Sequence, residues 1–300
     1  MSRTVRIFFP FLCLTVLLMA VGGSQGDLPG MLMGFVLGIL LTFIVFRFSA
    51  DWVLGNLHAQ LLPKETAPEL YILSNELALE AGIDPPRLYL IPSAALNALS
   101  VGRISRRSAI LLTRGLLGEL SESELKAVLA HEIAHIQSRE TFLGTVTASL
   151  AGISDYFIMF LRGAFSLGNP QRGGRRDNPI VMLAKAVLYP LTALWIRGLI
   201  FPSREYEADR ESAMLCGNPE YLMSALVKID QKKKNLPLRE IPYSEAHLFI
   251  VNPLREGVGS RIFQSHPLVE KRLVALEGMT HLRPSVYSEE EVSSGKNEKG

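Results

Sequence analysis

The 300-residue sequence contains few cysteines and few charged residues for its length. Its two cysteines, Cys13 and Cys216, lie too far apart for a C-x-x-C metal or redox motif, and two are too few for a disulfide scaffold. Charged residues make up only 20% of the chain, whereas soluble domains contain about 25%. Because the net charge is only +2, the chain lacks a strong basic surface, and we expect no nucleic-acid partner.

Nucleotide-binding motifs and a disordered composition are also missing. The chain has no G-x-x-x-x-G-K-[ST] sequence, so we expect no ATP use. Hydrophobic residues make up 48% of the chain and its mean hydropathy is +0.22, which provides ample apolar surface for a core. High apolar content together with little charge indicates a membrane protein.

The N-terminal region contains two long uncharged runs. The first lies between Arg6 and Asp27, and the second covers residues 28–46 and ends at Arg47. A helix needs about 20 residues to cross a bilayer, so the two runs predict a helical hairpin rather than a cleaved signal peptide. Three glycines recur every four residues in the second run, which permits close helix packing and self-association: Gly30, Gly34 and Gly38.

Basic residues at the outer ends of this hairpin predict its orientation. Arg3 and Arg6 precede the first run, and Arg47 follows the second. By the positive-inside rule, both ends lie in the cytoplasm, and so does the polar region that follows. The cytoplasm is reducing, which agrees with the low cysteine count.

Two later apolar segments are interrupted by polar residues. Residues 141–161 contain Asp155, and residues 180–200 contain Lys185. The connection between the two segments is basic, which contradicts the positive-inside rule if both segments cross the bilayer. The sequence therefore leaves open whether they span fully, and Asp155 and Lys185 are candidate functional residues by their position.

The polar region predicts an α+β fold that is mainly α-helical with a small sheet. We expect an amphipathic helix at 63–82. Three short strands should follow, at 87–91, 95–102 and 108–113. Ser121 and Glu124 stand at capping-box spacing before another helix.

That helix carries the central motif, His131-Glu132-x-x-His135. Histidines at positions i and i+4 project from one helix face about 5–6 Å apart, so both can bind one zinc ion. Glu132 lies beside the open position of such a site, where it can take a proton from water and pass it to a leaving amine. The alternative is a surface helix with two ordinary histidines.

A catalytic zinc site needs a third protein ligand. Glu205 and Asp209 stand at i and i+4 in a helical stretch, so one carboxylate can bind zinc while the other orients a ligand histidine. Ion pairs of these acids with Arg204 and Arg210 are the alternative. Glu207 competes for the ligand role, but it lies on another helix face and we expect it to be exposed.

These motifs together resemble the HtpX family of heat-shock membrane metallopeptidases, which are bacterial relatives of the CAAX prenyl protease. The resemblance extends over nearly the whole chain except the first few residues and the tail. It rests on the four apolar segments and on the following stretches: 131–135, 203–209, Asn97-Ala98, 245–253 and 265–267.

The resemblance implies the members of a zinc site with one Zn²⁺ per chain. His131, His135 and Glu205 would bind the zinc ion, and Glu132 would be the general base. Asp209 would orient a ligand histidine, and we expect this to be His131.

The resemblance also implies residues that contact the substrate. Asn97 and Ala98 would lie on an edge strand that pairs with the substrate backbone, as in strand addition. His266 would donate a hydrogen bond to the tetrahedral intermediate. Arg272 would pair with a site carboxylate. The remaining histidines are interpreted as structural or exposed: His58, His247 and His281.

The predicted protein is a membrane-bound zinc endopeptidase that degrades misfolded or damaged membrane proteins. By resemblance it would be a multi-pass protein of the bacterial inner membrane with its active site facing the cytoplasm; its partners would be polypeptide substrates and the bilayer. A narrow-specificity maturation peptidase and a non-enzymatic scaffold with an incidental zinc site are the alternatives. The expected parts are a transmembrane hairpin at 1–48 and a metallopeptidase domain in two parts, at 49–140 and 203–283. Two hydrophobic segments at 141–202 separate these two parts, and a disordered tail follows at 284–300.

Overall fold

The structure is a computed structural model that describes residues 3–102, 108–166, 179–236, 238, 241–254, 263 and 266–279. The expected basic turn, the basic connection between the later apolar segments, His281 and the tail lie outside these residues. The helices are α1 Arg3–Asn56, α2 Pro68–Glu80, α3 Arg114–Glu119, α4 Glu122–Gln137, α5 Glu140–Ser166, α6 Pro179–Leu199, α7 Ser203–Cys216, α8 Pro219–Asn235 and α9 Val269–Glu277. The strands are β1 Gln60–Leu61, β2 Arg87–Ile91, β3 Ala98–Gly102 and β4 Ser108–Thr113, and a 3₁₀ helix covers Tyr243–Leu248.

The N-terminal helix α1 folds back on itself as a hairpin. Its backbone leaves the helical region at Gly26 and Asp27, where Asp27 has a φ of 48°. The two arms then approach so closely that a Cβ atom on Gly22 would lie 2.1 Å from the carbonyl oxygen of Gly30. Only glycine permits this approach, which is the close packing that the glycine spacing predicts.

Three helices of the described chain are long and apolar enough to cross a membrane, namely α1, α5 and α6. The spans of α1 and α6 are mostly exposed, whereas 56% of the α5 span is buried. The reason is that α5 packs against both others: Ser149 Oγ donates to the Ser49 carbonyl at 3.4 Å, and Thr192 Oγ1 donates to Ser154 Oγ at 3.0 Å. The helix α5 is therefore the central membrane helix.

The small sheet has four strands in the order β1-β2-β4-β3. β2 runs parallel to β4, and β3 runs antiparallel to β4, so β3 is an edge strand. The expected strands 87–91 and 108–113 match β2 and β4, but the expected strand 95–102 begins only at Ala98. All five residues of β3 are buried, because α4 and α5 cover this strand.

The main core joins helices from both sides of the α5–α6 insertion. α4 packs on α7, α8 and α2, and its central residues from Ala127 to Ala134 are all buried. Ser121 and Glu124 form the expected capping box, with Glu124 N donating to Ser121 Oγ at 3.3 Å and Ser121 N donating to Glu124 Oε2 at 2.7 Å. The mainly helical α+β fold with membrane helices and a small sheet is confirmed.

Candidate metal centre

The buried face of α4 presents two imidazoles to the same point. His131 is fully buried and His135 is partly buried, and their Nε2 atoms lie 3.2 Å apart. The i, i+4 spacing causes this convergence, because residues one helical turn apart share a face. The two rings meet nearly at right angles, with an interplanar angle of 89°.

A carboxylate from α7 completes the cluster. Glu205 Oε2 lies 3.6 Å from His131 Nε2, and Glu205 Oε1 lies 3.5 Å from His135 Nε2. One ligand atom from each of the three residues lies within 4.8 Å of the others. Glu205 Oε2 is buried between His131 Nε2, at 3.6 Å, and Arg272 Nη1, at 3.5 Å, so this oxygen faces the cluster. Two imidazole nitrogens and a carboxylate oxygen are a donor set that fits zinc with an open fourth position.

Asp209, one turn after Glu205 on α7, lies behind His131. Its Oδ1 is 3.0 Å from His131 Nδ1, which leaves His131 Nε2 directed at the cluster. Burial lowers the pKa of His131, but the hydrogen bonds to Asp209 and Glu205 outweigh burial and raise this pKa to about 9. Arg272 on α9 donates to both carboxylate oxygens of Asp209, from Nε at 2.8 Å and from Nη2 at 2.5 Å.

Glu140 holds a similar position behind His135, and the sequence reasoning did not identify it. Its Oε2 lies 3.3 Å from His135 Nδ1, and its Oε1 forms an ion pair with Arg204 Nε at 2.6 Å. The turn between α4 and α5 makes this contact, because Arg139 adopts a left-handed φ of 61° and brings Glu140 back toward the helix end. The only sequence signal was an acid placed five residues after His135.

Glu132 lies beside the cluster in an almost fully buried position. Only 1% of the residue is exposed, and its Oε1 has no hydrogen-bond partner. Burial raises the pKa of this carboxyl group, because desolvation disfavours its charged form. A buried carboxylate with one unpartnered oxygen, in a cleft beside the cluster, is a suitable proton acceptor.

The other predicted site residues occupy different positions around the cluster. His266 Nε2 lies 3.3 Å from Glu205 Oε1, so His266 is close to the centre. Burial raises the pKa of Glu205, but the nearby imidazoles of His266 and His135 hold it well below its usual range. Glu207 is exposed, as expected.

Asn97 and Ala98 lie at the start of the edge strand β3, close to the cleft. Asn97 is buried, and its Nδ2 donates to the carbonyl of Val251 at 2.8 Å. The carbonyl of Ala98 accepts from Ile250 N at 2.9 Å. Ala98 therefore begins the edge strand and Asn97 directly precedes it, with a segment of the same chain beside both residues.

The cleft itself is a small cavity of about 40 Å³. Residues from β3, α4, α5, α7 and the segment after α8 line it, among them Ser100, Glu132, Glu205, His247 and His266. His247, interpreted as structural or exposed, is buried here, with Nε2 3.1 Å from the carbonyl oxygen of Gly144. Burial lowers the pKa of His247 to about 4, so it is neutral at pH 7.

The fold and the cluster define a membrane metalloprotease, and comparison with known proteins gives its family. Residues 64–280 match peptidase family M48, and the chain belongs to this family. The matched residues include all members of the cluster and the β3 edge. Enzymes of this family are metal-dependent hydrolases, which agrees with the His-His-Glu group of the structure.

Several curated relatives share sequence along nearly the whole chain. The chain is similar to proteins named Protease HtpX homolog from Ralstonia nicotianae, at 36% identity over 93% of this chain and 97% of the relative, and from Syntrophotalea carbinolica, at 34% identity over 93% and 100%. A relative of the same name from Pyrococcus furiosus is 36% identical over 88% of this chain and 91% of the relative. A crystal structure of S. mikatae Ste24p superposes with a TM-score of 0.49 and 22% identity, over 91% of this chain and 63% of that chain.

Proposed function

We propose that the chain is a membrane-bound zinc endopeptidase that hydrolyses misfolded or damaged membrane proteins. The observation that carries this proposal is the convergence of His131, His135 and Glu205 beside the buried carboxylate of Glu132, whose Oε1 has no hydrogen-bond partner. In this proposal, the first three residues hold one Zn²⁺ per chain. When bound, zinc supplies Lewis acidity, which makes water more acidic and polarises a peptide carbonyl.

Glu132 is the proton carrier in this mechanism. Its raised pKa matches a group that accepts a proton from water and then donates it to the leaving amine. Asp209 and Glu140 act through the two histidines: each carboxylate lies at an Nδ1 atom and keeps the corresponding Nε2 directed at the metal position.

His266 and Asn97 are proposed to act on the substrate. His266 donates a hydrogen bond to the negative charge that develops on the attacked carbonyl, a role supported by its place 3.3 Å from Glu205. Asn97 and Ala98 bind the substrate backbone, because β3 is an edge strand that lies along the cleft.

The membrane position supports a substrate that comes from the bilayer. Thr141 and Gly144, in the first turns of the membrane helix α5, line the cleft, so the cleft opens where α5 leaves the bilayer. Both ends of the α5–α6 pair return to the same domain, and Arg47 follows the hairpin span. We therefore propose that the domain, in its two parts 49–140 and 203–283, lies at the cytoplasmic face of a bacterial inner membrane.

Proteolysis by purified protein tests this function. The protein is purified with a chelator, loaded with zinc and incubated with casein and with a detergent-solubilised membrane protein. We expect the wild type to cleave both and to bind one zinc ion per chain. Glu132→Gln should lose at least about 10³-fold in kcat while keeping its zinc, because only the proton carrier is lost.

Glu207→Gln is the matched control, because this acid is exposed on α7, the same helix as Glu205. It should retain wild-type activity and zinc. Cleavage of a single substrate among several unrelated membrane proteins would favour a maturation peptidase. Lack of stoichiometric zinc, or full activity of Glu132→Gln, would favour a scaffold and contradict the proposal.

A further inference from the structure

The edge of β3 beside the cleft is paired with another part of the same chain. Leu99 forms an isolated antiparallel bridge with Phe249, and Ile250 N donates to the Ala98 carbonyl at 2.9 Å. The Asn97 side chain contacts both backbone groups of Val251, with Nδ2 donating to its carbonyl at 2.8 Å and Val251 N donating to Oδ1 at 3.4 Å. The bridge and the Ile250–Ala98 bond are backbone contacts of the kind that an added strand makes, and the Asn97 side chain extends the pairing to Val251.

This segment, residues 249–251, is called the resident strand below. It lies next to the candidate metal centre. The carbonyl of Ile250 accepts from Arg272 Nη1 at 2.6 Å, and the same Nη1 lies 3.5 Å from Glu205 Oε2. Phe249 and Ile250 also line the catalytic cleft. The resident strand thus runs within one side-chain length of the proposed zinc ligands.

The 3₁₀ helix before the resident strand is attached to the membrane helices. Glu245 Oε1 accepts from Asn56 Nδ2 at 2.5 Å, where α1 ends. Ser244 N donates to Asp155 on α5 at 3.3 Å, and His247 lies 3.1 Å from the Gly144 carbonyl on the same helix. Contacts with α1 and α5 therefore hold the N-terminal side of the resident strand in place.

The cleft has no room for a substrate while the resident strand is bound. Its cavity of about 40 Å³ holds only a few water molecules, which is too little for an extended peptide segment. At the other end of β3, the amide of Gly102 donates to Thr145 Oγ1 at 3.2 Å on α5. A polypeptide therefore needs the position at Asn97 and Ala98 to be vacated.

We propose that the resident strand occupies the place that a polypeptide substrate takes beside β3, and that substrate binding displaces it. This proposal rests on the proposed function, because it takes Asn97 and Ala98 as the substrate-binding edge. The residues Phe-Ile-Val at 249–251 indicate the chemistry that the position accepts, which is an extended apolar segment rich in β-branched residues. Such segments become accessible when membrane or core strands unfold.

Hydrogen exchange gives a direct test on the full-length, zinc-loaded Glu132→Gln protein in detergent micelles. Deuterium uptake is measured by mass spectrometry with and without saturating β-casein, whose binding is followed separately by fluorescence anisotropy. We expect uptake in residues 246–252 to become at least about tenfold faster on binding, while residues 98–102 stay protected by the incoming chain. Helix α8 is the internal control and should not change. Unchanged or slower exchange in 246–252 at saturation would overturn the proposal.

A reversible disulfide crosslink gives a second test, which compares the oxidised and reduced forms of one variant. Side chains that face each other in an antiparallel pair have Cβ atoms about 4.5–5.5 Å apart, close to disulfide reach. Leu99→Cys and Phe249→Cys are combined with Cys13→Ala and Cys216→Ala. Oxidation with glutathione disulfide should weaken casein binding at least tenfold, and reduction with a phosphine should restore it. Equal binding by the oxidised and reduced forms would overturn the proposal.

The two proposals fail in different ways. Casein cleavage by zinc-loaded wild type, with no faster exchange in 246–252, would retain the proposed function and overturn displacement. Casein binding that displaces the resident strand without any cleavage would overturn the proposed function alone. Absence of polypeptide binding in both redox forms would overturn both.

Discussion

The N-terminal hairpin and the α4–α7 layer bury opposite kinds of residue. In the hairpin, glycines form the contact between the arms, while large apolar side chains such as Met33 and Val36 face outward with 72% and 64% exposure. In the α4–α7 layer, the buried residues include an imidazole and several charged groups, among them His131 and Asp209. The two regions therefore follow different rules of packing.

The surroundings of each region explain this difference. Lipid solvates apolar side chains as well as a protein interior does, so membrane helices gain stability from close backbone approach and expose large residues without cost. An unpaired buried charge is costly, so buried charged groups outside the reacting position need partners. Asp209 is paired with Arg272 and also contacts the His131 ring. Glu140 contacts the His135 ring in the same way.

The largest expected effect follows from breaking the charge compensation in the α4–α7 layer. Asp209→Asn removes the charge of the carboxylate that holds the fully buried Arg272 by two hydrogen bonds, and should lower the free energy of unfolding by about 3–5 kcal/mol. The midpoint of thermal unfolding in detergent, followed by tryptophan fluorescence, measures this change. Glu207→Gln on the same helix should shift stability by less than about 0.5 kcal/mol, and an equal loss in both variants would contradict the compensation argument.

The corresponding test in the hairpin uses two adjacent glycines. A Cβ atom on Gly22 would lie 2.1 Å from the Gly30 carbonyl oxygen, whereas one on Gly23 would lie 3.6 Å from Met31 Cβ, an ordinary contact. Gly22→Ala should therefore lower the free energy of unfolding by about 1–3 kcal/mol, because the added methyl group overpacks the contact. Gly23→Ala should leave the free energy of unfolding unchanged or raise it slightly. Thermal unfolding in lipid nanodiscs measures both. A similar effect of the two substitutions would mean that the arms do not pack at Gly22.

Glu140→Gln tests whether the acid found only in the structure acts on the metal centre. Loss of the carboxylate at His135 Nδ1 should weaken zinc binding about 10–100-fold, because the ring loses the partner that orients it. Competition with a fluorescent chelator measures the zinc dissociation constant. Glu122→Gln, at the start of α4, is the control. Unchanged zinc affinity in Glu140→Gln would make this contact purely structural.

The smallest expected effect lies at Glu245, which contacts Asn56 at the end of the hairpin helix α1. Burial raises the pKa of Glu245 to about 7, so the folded state is penalised increasingly as the pH rises from about 4.5 to 7, and fully above that. Glu245→Gln should therefore stabilise the protein at pH 8 by about 1–2 kcal/mol and have little effect at pH 4.5, since a buried amide also lacks some partners. Unfolding midpoints at the two pH values measure the difference. A stabilisation that does not depend on pH would show that charge is not the cause.

Local patterns were sufficient to predict much of this protein. Uncharged length predicts the N-terminal hairpin, glycine spacing predicts its close arms, and the capping box predicts the start of α4 at Glu122. The strands β2 and β4 also match their predicted limits. Within the site, the i, i+4 pairs His131/His135 and Glu205/Asp209 each define one face of one helix, and this geometry follows from the helical repeat.

The contacts between distant segments were decided only by the tertiary structure. Glu140 reaches His135 because Arg139 adopts a left-handed φ, and the resident strand reaches β3 because α1 and α5 hold the 3₁₀ helix before it. Neither contact has a repeat in the sequence from which it could be read. Which residues share a helix face follows from their spacing along the chain, because the helical repeat is local geometry. Which faces meet, and which segment lies on the open edge of the sheet, depends on the packing of the whole chain.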